Sequence, residues 1–90
     1  MEGVMFQHVA EGDLEGVRTL LSWDSSLVTA RDQGFTPLLV AAQRGHGHIV
    51  RELLLHGATI EDSQDGTQET ALHKAAIYGH HSTLLNFERS

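Results

Sequence analysis

Histidine is the residue this chain offers most freely for chemistry. There are seven in 90 residues, and His46-Gly47-His48 and His80-His81 put imidazoles close enough in sequence to suggest ligands for a metal ion. A zinc site needs three or four donors converging at bond lengths of about 2 Å, usually histidines completed by cysteines or carboxylates. The chain has no cysteine, which removes thiolate zinc sites, thiol catalysis and a disulfide framework together. Asp13 with Glu15, and Glu61 with Asp62, are the carboxylate pairs that could do general acid–base work. Among twelve acidic residues, such pairs are the ordinary form of solvated charge. No Gly-rich phosphate loop, His-Glu-x-x-His sequence or Gly-x-Ser-x-Gly elbow is present. The expectation is a chain without catalytic residues, metal or cofactor.

Composition narrows the classes further. Ninety residues support one small domain, and 40% hydrophobic with 20% charged residues is a folding composition rather than that of a disordered chain. Six basic residues against twelve acidic give a net charge of −6, the wrong sign for tracking a phosphate backbone, so nucleic acid is not an expected partner. Neither a signal-like opening nor an apolar run approaching the roughly 18–20 residues of a membrane span occurs. The expectation is a soluble intracellular protein, cytoplasmic or nuclear.

The elements that hold these residues announce themselves by repetition. Residues 36–46 return 34 positions later as residues 70–80, with six identities in eleven positions: Thr36/Thr70, Leu38/Leu72, Ala41/Ala75, Ala42/Ala76, Gly45/Gly79 and His46/His80. A shift of 33 in the other direction brings Gly12 under Gly45, Val17 under Val50, Arg18 under Arg51, and Leu20-Leu21 under Leu53-Leu54. Three copies follow, over about 2–29, 30–62 and 63–90, and a period of this length is the mark of a stacked-repeat architecture.

Within a copy the local logic is that of two short helices. Thr36 can cap a helix and Pro37 can occupy its first position, where a missing N–H costs nothing. Leu38, Ala41 and Ala42 share one face, and the alanines allow a neighbouring helix to approach closely. Gly45 suits a left-handed stop. Ile49, Val50, Leu53 and Leu54 then form the apolar stripe of a second helix that Gly57 ends. Asp24 stands where copy two has Gly57, and Asp tolerates a left-handed turn. Trp23, near the end of its helix, is expected to close the core at the repeat junction.

The unit resembles the ankyrin repeat, whose pattern Gly-x-Thr-Pro-Leu-His-x-Ala-Ala, Gly-His, Val-x-x-Leu-Leu, Gly-Ala is followed nearly throughout by residues 34–58. Leu39 replaces the pattern's histidine in the middle copy, and Ala71 its proline in the last, where His73 is kept. The resemblance implies an all-α fold, a solenoid of stacked antiparallel helix pairs joined by β-turn fingers, with the last repeat incomplete. It also places His46, His80 and His73 where the imidazole makes local hydrogen bonds, and stacked copies about 10 Å apart hold equivalent side chains too far from one another to share a zinc ion. The segment 63–69 carries one extra residue, with Gln68 where the pattern has its turn glycine, so the finger there is expected to be irregular.

By the same resemblance the chain is a non-catalytic module that binds another protein through finger tips and first helices. The residues so placed are Gln33, Phe35, Gln43 and Arg44 from copy two and Glu69, Ile77 and Tyr78 from copy three. Phe35, Arg44 and Tyr78 are of the types that dominate binding energy once desolvated. Copy one shows Glu2, Gln7 and Glu11 along its first helix, as a solvated cap would. The last copy leaves Leu72, Ala76, Leu84, Leu85 and Phe87 as an uncovered apolar edge, which implies fraying, self-association or a missing continuation, and as an alternative function completion by another chain.

Overall fold

Helix formation in the middle copy follows from its capping residues. The backbone of Thr36 is extended, its hydroxyl accepts the Leu39 N–H at 3.2 Å, and Pro37 opens the helix Pro37–Arg44. Gly45 closes it in the left-handed region at φ 76°. The chain then reverses into Gly47–Leu55, which ends before Gly57 at φ 93°.

The computed structural model describes residues 2–88, with side chains from 3 to 85. Its helices are α1 (Glu2–Glu11), α2 (Leu14–Trp23), α3 (Pro37–Arg44), α4 (Gly47–Leu55), α5 (Ala71–Ile77) and α6 (His81–Glu88), with a short 3-10 turn at Ser25–Thr29. They form three antiparallel pairs. The first helices α1, α3 and α5 pack side by side as one layer, and the second helices α2, α4 and α6 as another. Val17, Leu21, Leu38, Leu39, Ala41, Ala42, Ile49, Val50, Leu53, Ala71 and Ala75 fill the space between the layers. Ala41 and Ala42 on α3 and Ala75 on α5 are fully buried, and side chains this small let the helices approach closely.

Two histidines clip the pairs together, across repeats rather than locally as expected. The Nε2–H of His46 donates to the Ala10 carbonyl at 3.2 Å, and that of His80 to the Gln43 carbonyl at 2.8 Å. Each ring lies over the glycine of the preceding copy: a Cβ added at Gly12 would come within 3.0 Å of His46, and one at Gly45 within 2.5 Å of His80. These glycines therefore serve both the left-handed stop and the ring above it. His73 does bond locally, its Nδ1 accepting the Thr70 N–H at 3.2 Å.

Two further expectations are corrected. Asp24 is extended, at φ −152°, and uses its carboxylate to accept the Ser26 N–H at 3.1 Å, capping the 3-10 turn. Trp23 is 79% exposed, because its place on α2 lies off the face of Val17, Leu20 and Leu21 that is buried, and Leu27 and Val28 are buried at the junction instead.

The fingers differ as their lengths dictate. The first turns through Gln33 (φ 53°) and Gly34 (φ 85°) between the bridged residues Asp32 and Phe35, the geometry of a two-residue turn with both central φ values positive. The second is wider, bridged between Ser63 and Thr70, and Gly66 rather than Gln68 takes the positive φ. They lie against each other: the Asp65 N–H donates to the Gly34 carbonyl at 3.0 Å, while Arg31 reaches Gly34 O, Ser63 O and Asp65 Oδ1 at 3.0–3.2 Å.

The Thr83 hydroxyl is a buried group left unsatisfied among the described residues. Thr83 is fully buried and its hydroxyl has no hydrogen-bond partner among the described residues, at the repeat position that Ile49 fills in the middle copy. Removing a buried hydroxyl of this kind while keeping the shape is stabilising. Thr83→Val is expected to raise stability by about 1 kcal/mol, or the thermal midpoint by roughly 4–8 °C, measurable by calorimetry; a lowered midpoint would contradict the assignment.

Candidate protein-binding surface

The finger tips and the first helices enclose an open groove of about 440 Å³. Its apolar walls are Phe6 and Ala10 from α1, Val40 from α3 and the ring of Phe35; Asp32, Gln33 and Gln64 form a polar lip. Each wall residue is where helical spacing puts it. Phe6 and Ala10 are four apart and share a face of α1, and Val40, three residues into α3, lies beside them because α1 and α3 pack together.

Lys74 sets the position of Phe35. It occupies on α5 the repeat position that Val40 occupies on α3, yet it is only 5% exposed. Its ammonium donates to Gln64 Oε1 at 2.7 Å and Glu69 Oε1 at 2.8 Å, and lies 5.2 Å from the centre of the Phe35 ring. A buried ammonium is tolerable when it is paired and hydrogen-bonded, and an aromatic face adds to the attraction. The result joins the wide second finger to the tip of the first and holds the aromatic wall of the groove.

The seven residues proposed from sequence do not form one site. Gln33 and Phe35 line the groove. Glu69 acts behind it, on Lys74. Gln43 is partly buried, and its backbone carbonyl is the acceptor for His80. Arg44, Ile77 and Tyr78 are exposed at the far ends of α3 and α5, with Tyr78 stacked on His80 at a ring separation of 6.4 Å; an eight-residue helix such as α3 separates them from the fingers by about 12 Å. Phe6, Ala10, Asp32, Val40 and Gln64 were not anticipated. Their signal was the 33–34-residue register itself, which aligns Val40 with Lys74 and Ala10 with Gln43. No group of three or more His, Asp and Glu residues suited to a metal ion exists among the described residues.

At the other end of the stack, Leu72 is 46% exposed where its counterpart Leu38 is 2% exposed, and Ala76 is exposed where Ala42 is buried. Leu85 is also exposed. Leu84 departs from the expectation: it is partly buried and packs on the core, taking the place of Val50. The side chain of Phe87 lies outside the described residues.

A family model for ankyrin repeats, in three copies, matches residues 5–86. The chain belongs to the ankyrin-repeat family. Members of this family are protein-interaction modules as a rule and are typically non-catalytic. The chain is also 37% identical over 75 residues to a probable E3 ubiquitin-protein ligase, XBOS31, of Oryza sativa subsp. japonica; the match covers 83% of this chain and 17% of that protein. Among the described residues no helix is long and apolar enough to cross a membrane.

Truncating Lys74 should loosen the ankyrin fingers more than the helices. Lys74→Ala is expected to cost about 1–3 kcal/mol, since it leaves the buried space empty and Gln64 and Glu69 without their shared donor. Amide hydrogen exchange should quicken first in residues 31–35 and 63–70; uniform loss of protection over the whole chain would show that Lys74 does not act on the fingers.

Proposed function

We propose that this ankyrin array is a non-catalytic protein-interaction module that binds its partner over the groove between the fingers and the first helices. The observation that carries the reading is the union, on one face, of an apolar floor, an aromatic wall held by Lys74 and a lip of polar side chains. Apolar pockets ringed by a few polar groups are the usual form of a recognition site. A match confined to 17% of the relative's length supports a recognition role for these repeats rather than ubiquitin transfer. The excess of acidic residues argues against nucleic acid as the partner, and the absence of cysteine suits the reducing interior of a cell.

A second reading, self-association or completion by another chain, rests on the open edge of the third copy. Each earlier copy offers its neighbour a carbonyl and a glycine that receive a histidine: Ala10 and Gly12 take His46, and Gln43 and Gly45 take His80. The corresponding carbonyl in copy three is that of Ile77, and a Cβ placed at Gly79 would meet nothing within 4 Å among the described residues. Leu72 and Ala76 stand at positions that copy two buries, those of Leu38 and Ala42, and the exposed Leu85 adds apolar area on α6.

Two measurements test these readings. Partners recovered on the intact chain, identified by mass spectrometry and then purified, should bind Phe35→Ala roughly tenfold more weakly, while the Arg44→Ala, Tyr78→Ala double variant changes affinity little if the groove dominates. A partner indifferent to Phe35→Ala would reject the groove. Sedimentation velocity should show a weight-average coefficient that rises with concentration and no longer does so in Leu72→Glu, Leu85→Glu; a concentration-independent monomer removes the second reading.

A further inference from the structure

The groove's charge specifies what kind of segment it takes. Of the two cations beside it, Lys74 is committed to Glu69 and Gln64, and Arg31 to Asp65 and two backbone carbonyls. Neither is free to meet an incoming anion. Asp32 is the reverse case. Its backbone is fully used in the two-way bridge to Phe35, at 2.9 and 3.0 Å, but its carboxylate has no hydrogen bond or ion pair among the described residues. It is exposed on the lip, directly above a floor made of Phe6, Ala10 and Val40.

We infer that the groove binds a protein segment that inserts one apolar side chain between Phe6, Val40 and Phe35 and sets a lysine or arginine of the same segment against Asp32. The inference rests on the groove being the binding face and names the partner's chemistry. A volume of about 440 Å³ lies within the roughly 300–1,000 Å³ of pockets that take drug-sized ligands, ample for one apolar side chain, and an open mouth suits a side chain projecting from a chain that passes over it. An unpaired carboxylate at the rim of such a pocket favours a cation at that point and repels an acidic segment. The surrounding net charge of −6 acts in the same direction over longer range, drawing basic segments and opposing a second copy of this chain in the groove.

Selection of a random twelve-residue peptide library on the intact chain, followed by anisotropy titration of the enriched peptides, tests this. Enriched sequences should share an apolar residue with Lys or Arg within a few positions. Asp32→Asn should weaken their binding about three- to fivefold and Asp32→Lys about tenfold or more, with the melting temperature of Asp32→Asn unchanged. Replacing the peptide's Lys or Arg by Gln should abolish the difference between the intact chain and Asp32→Asn, the mark of a direct pair. Peptides that are weakened by Val40→Glu but contain no basic residue, or whose basic residue is not coupled to Asp32, overturn the proposed chemistry while leaving the groove as the binding face. Peptides indifferent to Val40→Glu, or no enrichment, overturn both.

Discussion

A helix pair of this length cannot hide both of its sides, so each copy in the chain must be covered by the next. That constraint governs where stability and openness lie. Copy two is covered on both sides, and its Leu38, Leu39, Ala41, Ala42 and Leu53 are among the most completely buried residues. The histidine that crosses from one copy to the glycine and carbonyl of the copy before it adds direction to an otherwise non-directional apolar contact. A displaced neighbour would lose a hydrogen bond and lay its ring on a side chain instead of on bare backbone. Stacking and register are thus set together, by pairs such as His80 with Gln43 O.

The fingers are governed by a different balance. They have little apolar surface of their own, and are held by polar contacts: Arg31 gathers three oxygens, and Lys74 ties Glu69 and Gln64 to the face of Phe35. Lys74 stands at a position that is apolar in copy two. An ammonium there would be costly if isolated, and its acceptable partners come from the wide finger that an extra residue produces. The finger with one extra residue is thus also the one that supplies a buried lysine with its acceptors.

This arrangement also explains the electrostatic character of the groove. Both nearby cations are consumed in building it, so its free charge is Asp32's. A binding face usually reflects what its scaffold leaves unpaired, because groups already paired gain little from a partner and would be costly to separate. Here the remainder is an apolar floor and one carboxylate.

The sequence by itself determined the local structure and the fold family. Thr36, Pro37, Gly45 and Gly57 each act within a few residues of their own position, and the 34-residue echo of residues 36–46 establishes the copies without reference to anything distant. Gln33 and Phe35 were placed at the finger by the resemblance to the ankyrin repeat. What only the tertiary structure decided involves groups far apart in the chain. His46 finds its acceptor 36 residues back at Ala10, and Phe6 shares a wall with Val40 and Phe35 because two helices pack. Trp23 faces solvent because α2 packs through Val17, Leu20 and Leu21, off whose face the indole lies. Capping and helix periodicity are short-range effects that a linear pattern records, whereas the choice of partner for a ring, an ammonium or an aromatic wall depends on which surfaces the stacking brings within a few ångströms.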